Sequence, residues 1–129
     1  MQRQRLSLVV VALVLTAADL AQKAREPVYG HPRGPVYVAL AAVLVAFVVV
    51  FVPRVPSRAL SFAGGVATAG ALGNLASALL WRGGVPNPIV VGDVAFNIAD
   101  VCAVSGAIAL VLGAALFALT HPALLRQPI

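Results

Sequence analysis

From Val101 to Thr120 the chain carries no charged residue, and Ala, Leu, Val and Gly make up most of the run. A helix rising about 1.5 Å per residue needs roughly 20 such residues to cross the hydrocarbon of a bilayer. Three more apolar runs precede this one. The expected spans are about residues 6–21, 36–52, 59–81 and 94–120. Water is absent from the bilayer core, so each backbone amide must find its partner within its own segment, which requires helices. Pro53 and Pro56 close the second run, Gly83-Gly84-Val85-Pro86-Asn87-Pro88 follows the third, and Pro122 follows the fourth. The expected fold is an all-α membrane protein. Its single domain, residues 1–129, has four transmembrane helices and a short extracytoplasmic loop region.

Composition excludes the main rivals. The 129 residues are 61% hydrophobic and 10% charged, with a mean hydropathy of +1.00. A water-soluble domain of this length cannot hide so much apolar surface, so the lipid bilayer is the first expected partner. The net charge of +5 comes from basic residues scattered singly, which excludes a nucleic-acid surface. Cys102 is the single cysteine, so an internal disulfide is impossible. His31 and His121 fall on opposite sides of the expected membrane, so neither a metal nor a cofactor is expected.

The charges also suggest an orientation. With both termini cytoplasmic, the inner side holds Arg3, Arg5, Arg54, Arg58 and Arg126 and no acid. The outer side holds Lys23, Arg25, Arg33 and Arg82 with all four acids, Asp19, Glu26, Asp93 and Asp100. The bacterial-type inner membrane, crossed several times, is the expected location. Trp81, Tyr29 and Tyr37 read as interface anchors. A rival reading takes the first run as a cleaved signal peptide, with Arg3 and Arg5 before the apolar stretch and Thr16-Ala17-Ala18 as the cleavage site. Asp19 and Lys23, spaced i,i+4 on a continuing helix, favour a retained span and pair locally at its end.

An ionisable group beside a membrane span is costly to bury and marks a functional site or a paired charge. Asp100 heads the fourth run, with Asn97 three residues before it. Polar groups this close to lipid need partners, and Asn74 with Ser77 on the third run forms a second polar pair. Small residues such as Gly70 beside Asn74 also suit plain helix–helix packing. Asp93 has two readings, a cap on the fourth helix or a second carboxyl near Asp100. On one continuous helix the two acids would stand about 10.5 Å apart in rise, too far to share a proton.

Three segments taken in order, Gly70-Ala71-Leu72-Gly73-Asn74-Leu75, Gly83-Gly84-Val85-Pro86-Asn87 and Phe96-Asn97-Ile98-Ala99-Asp100, resemble lipoprotein signal peptidase, signal peptidase II. Asp19 followed by Lys23 resembles the end of that family's first span. The resemblance implies a four-span aspartic endopeptidase that removes signal peptides from diacylglyceryl-modified prolipoproteins. It makes Asp100 one catalytic carboxyl and gives Asn74 and Asn97 substrate-binding or positioning roles. Two facing carboxyls can share a proton, one activating water and the other polarising the scissile carbonyl. The chain departs from the family at the second carboxyl, where Asn87 stands. Ser77-Ala78 replace an Asp-Arg pair, and Tyr29-Gly30-His31-Pro32-Arg33-Gly34-Pro35 replaces a different loop. An amide takes up no proton, so two functions follow: a peptidase with Asp93 as replacement carboxyl, or an inactive relative that binds lipidated segments or a membrane partner. A small four-span proton-coupled exporter using Asp19 or Asp100 is a weaker third, because both acids lie near span ends.

Overall fold

A computed structural model describes residues 2–25 and 30–123, so Glu26, Tyr29 and Arg126 of the expectations above lie outside the described residues. Four long helices dominate, α1 (Gln2–Arg25), α2 (Pro35–Phe51), α3 (Arg58–Leu80) and α4 (Ile98–Thr120). A 3₁₀ turn, Val52–Arg54, extends α2, and all four helices are long and apolar enough to cross a membrane. Four short strands complete the described chain. β1 (Gly30–His31) pairs antiparallel with β2 (Val85–Pro86), and β3 (Ile89–Val91) pairs with β4 (Val94–Phe96) as a hairpin. Its turn is Gly92-Asp93, and Gly92 has the positive φ that this tight reversal requires.

The helices alternate in direction. Gly64 faces Leu8 and Val48, whereas Gly73 faces Asp19 and Ala99. The start of α1, the end of α2 and the start of α3 therefore share one end of the bundle. The ends of α1 and α3 and the start of α4 share the other. Helix α3 is the axis: it packs on all three others and buries Ala63, Ala67, Ala69, Ala71 and four glycines. Its neighbours turn large side chains such as Leu44, Phe47, Val104 and Leu112 outward, as helices surrounded by lipid do.

Small residues set the spacing. A Cβ on Gly70 would strike the backbone of Ala103, and one on Gly106 would strike that of Ala67. Both glycines thus let α3 and α4 approach backbone to backbone, which is how spans associate where lipid removes the hydrophobic drive. Ser57 caps α3 by accepting from the Leu60 amide at 3.3 Å.

Two boundaries differ from the expectation. The fourth run does not enter its helix at residue 94, because residues 94–96 pair with β3 and Asn97 caps a helix that begins at Ile98. Asp93 is consequently not a helix cap; it occupies the exposed hairpin turn. β-branched Val90, Val91 and Val94 favour extended pairing around a Gly-Asp turn over continuing the helix backwards.

Candidate functional site

The polar residues of α1, α3 and α4 meet at the end of the bundle beside the strands. Asp19 and Lys23 form an ion pair, Nζ to Oδ2 2.7 Å, with side chains 1% and 0% exposed. The i,i+4 spacing is local, as expected, but the pair points into the bundle instead of lying at its edge. Lys23 faces three oxygens there: besides the carboxylate, Nζ donates to Ser77 Oγ at 2.9 Å and to Asn74 Oδ1 at 3.1 Å. Asp19 Oδ1 accepts from the Ala99 amide at 2.8 Å, which ties α1 to the first turn of α4.

Asn74 passes the connection on, donating from Nδ2 to Asp100 Oδ1 at 2.7 Å. Asp100 and Asn97 form a capping box on α4. Asn97 Oδ1 accepts from the Asp100 amide at 2.8 Å, and Asp100 Oδ2 accepts from the Asn97 amide at 3.2 Å. Asn97 is fully buried and its Nδ2 faces three oxygens, Asn87 Oδ1 at 2.7 Å, Asn74 Oδ1 at 3.1 Å and Pro86 O at 3.2 Å. It is the hub that joins α3, the β2 segment and α4.

Asn87 follows β2 and is buried. Its Nδ2 donates to Ala95 O at 3.2 Å and lies 3.1 Å from His31 Nδ1. Since Ala95 O can only accept, that nitrogen is the NH₂ group, and Oδ1 is the atom that accepts from Asn97. One hydrogen goes to Ala95 O, one lone pair takes Asn97 Nδ2, and His31 Nδ1 accepts the second hydrogen in the tautomer that carries its proton on Nε2. Asp93 stands apart, exposed, in a cleft of about 540 Å³ that it shares with His31, Val90 and Ala95.

Asp100 alone among these acids opens onto an apolar groove. Half-buried, it lies on a groove of about 430 Å³ walled by Val94, Phe96, Val101, Val104, Ser105 and Ile108. Among the described residues no cluster of three His, Cys, Asp or Glu side chains has metal-binding geometry.

This cluster, one carboxyl at the head of a span with amides from α3 and the preceding strands, invites comparison with known proteins. The family model for signal peptidase (SPase) II matches residues 29–116, more than half of the chain. The chain belongs to the signal peptidase II family. Comparisons with curated proteins and with solved structures find no match. The signal peptidase II match takes in Asn74, Asn87, Asn97 and Asp100 and leaves Asp19 and Lys23 before its start. The family is one of membrane proteins, in keeping with the four apolar helices.

Sequence reasoning placed Asn74, Asn97 and Asp100 together and named Ser77 beside Asn74 as a polar group for helix packing, but it missed three features. The role of Ser77 as an acceptor for Lys23 had no local signal. His31 meets Asn87 across the β1–β2 pairing, a contact between loops with no local signal. The burial of Asp19 and Lys23 was likewise invisible in their spacing.

Proposed function

We propose that this signal peptidase II-type protein binds the lipid-modified signal segment of a prolipoprotein in the groove beside Asp100, at the outer face of a bacterial-type inner membrane, and does not cleave it by the aspartyl-dyad route. The observation that carries this is the state of Asn87. By the resemblance it stands where the family has its second carboxyl, yet it is an amide that donates to Ala95 O, lies 3.1 Å from His31 Nδ1 and accepts from Asn97. No proton can be shared between it and Asp100. A missing general acid–base group costs about 10²–10⁴-fold in rate. Asp100 retains the capacity to bind: each oxygen takes one bond from the protein, so a lone pair on each remains for a substrate N–H. The apolar walls suit acyl chains and the signal helix.

A specific observation favours a second reading, an active aspartic endopeptidase with Asp93 as the replacement carboxyl. The cleft of Asp93 and the groove of Asp100 meet at Val94, which lines both. A segment lying across Val94 would touch both acids if the hairpin tip closed over it.

The deciding experiment incubates purified protein with a diacylglyceryl-modified prolipoprotein, beside Asn87→Asp, Asp93→Asn and Asp100→Asn, and measures both retention and cleavage. The proposal expects retention without product in the wild type, weaker retention in Asp100→Asn, and product only with Asn87→Asp. Wild-type turnover lost in both Asp93→Asn and Asp100→Asn would establish the second reading instead. Turnover that survives Asp93→Asn would sink both.

A further inference from the structure

At the end of the bundle opposite the polar cluster, α1 and α2 leave a groove of about 370 Å³ between them. Leu8, Val9, Val49, Val50 and Pro53 line it, and Arg5 and Arg54 add a guanidinium from each helix. Arg54 is held in place: one N–H donates to Val50 O at 3.0 Å, and its charge lies 4.9 Å from the centre of the Phe51 ring. Its other N–H groups, and all of those on Arg5, have no partner among the described residues.

Among the described residues no acid balances these two charges. The ion pair among the described residues is Asp19–Lys23, and Asp19 lies fourteen residues further along α1 than Arg5, roughly 21 Å of helix rise away. Asp100 belongs to that same far end, and Asp93 sits in the hairpin beyond it. Single arginines at span ends commonly lay their stems on apolar surface and reach for water. Here two from different helices border one apolar groove. A guanidinium fork matches phosphate oxygens two at a time, and the groove below takes hydrocarbon.

We propose that this groove is a binding site for one anionic phospholipid, its phosphate between Arg5 and Arg54 and an acyl chain along Leu8, Val9 and Val49. The lipid would join α1 to α2, whose main attachment is otherwise through α3. The site is independent of the Asp100 groove and of any peptidase activity.

The test measures binding of phosphatidylglycerol to the detergent-solubilised full chain by native mass spectrometry, with phosphatidylcholine and acyl-free glycerophosphoglycerol alongside. A basic residue near a membrane surface contributes about fivefold, so Arg5→Gln/Arg54→Gln should weaken phosphatidylglycerol binding about 30-fold. Arg3→Gln/Arg58→Gln, which changes exposed arginines at the same end outside the groove, should leave it within about threefold. If the first double variant does not fold, the two single substitutions, each about fivefold, carry the measurement. Equal losses in both double variants, equal binding of phosphatidylcholine, or equally tight binding of glycerophosphoglycerol would overturn the proposal.

Discussion

Replacing Lys23 by Met tests how the two halves of the bundle are held together at the site. The side chain keeps its apolar stem and loses an ammonium that serves three acceptors. Two of these have other partners. Ser77 Oγ still donates to Gly73 O, and Asn74 Oδ1 still receives Asn97 Nδ2 at 3.1 Å. Asp19 Oδ2 has no second donor, so the loss concentrates on one carboxylate that is 1% exposed. Breaking a buried pair from one side costs about 3–5 kcal/mol, and the two charge-assisted bonds to Asn74 and Ser77 add little beyond it, because both acceptor groups keep another partner. We expect Lys23→Met to destabilise by about 4 kcal/mol. Asp19→Asn/Lys23→Met removes both charges while Asn can still accept from the Ala99 amide, so most of the loss should return, leaving about 1–2 kcal/mol. Trp81, the single tryptophan, follows directly on α3 and reports unfolding by fluorescence in mixed micelles titrated with a denaturing detergent. A cost under about 1 kcal/mol for Lys23→Met, or a double variant as unstable as the sum of the single ones, would refute the argument that this pair is a buried, mutually dependent unit.

Two further substitutions separate packing and hub roles from simpler ones. Gly106→Val places a Cβ into the Ala67 backbone and should cost about 3 kcal/mol or more in the same titration. Gly34→Val, with open space and an extended backbone, should stay within about 0.5 kcal/mol; similar values for the two would remove close approach as the reason for glycine at 106. Asn97→Asp keeps an oxygen for the Asp100 amide but turns the group facing Asn87, Asn74 and Pro86 from donor to acceptor. As a cap alone Asp is as good as Asn, so a loss at least as large as that of Asn97→Ala is expected, and an unchanged stability would deny the hub.

The helices were legible because lipid imposes a simple rule. Runs without charge must be helical, and the four spans lie where hydropathy places them. The exception is instructive. Residues 94–96 are as apolar as a span start, so hydropathy assigned them to the fourth helix. Their pairing with β3 depends on a turn at Gly92-Asp93 and on a cap at Asn97, features that hydropathy does not register. The same difference governs the site. Asn97 and Asp100 are three residues apart at a helix start, so their reciprocal bonds follow from local spacing. The bonds of Asn74 to Asp100 and of Lys23 to Ser77 span 26 and 54 residues; they arise from the crossing of α1 and α4 on α3, which Gly70, Gly73 and Gly106 permit but no short motif encodes.

Charge accounting indicates why Asp100 is where function should be sought. Asp19 and Lys23 cancel inside the bundle, and their contacts with Ala99, Asn74 and Ser77 tie three helices together. That pair is sealed, 1% and 0% exposed, and its ammonium already faces three protein oxygens. Asp93 is exposed at the hairpin tip, in the turn that joins β3 to β4. Asp100 differs from both. It is half-buried beside lipid, it has amide donors and no cation within ion-pair distance among the described residues, and its groove is otherwise apolar. A carboxyl kept there without an ion-pair partner carries the burial cost of a charge, but it accepts on both oxygens, whereas asparagine at position 100 would accept on one and set its NH₂ against the other donor. Asp100→Asn should therefore cost only about 1 kcal/mol in the Trp81 titration, one lost bond offset in part by the removed charge, while weakening retention of a diacylglyceryl-modified prolipoprotein. A loss of stability as large as that of Lys23→Met would return Asp100 to the scaffold.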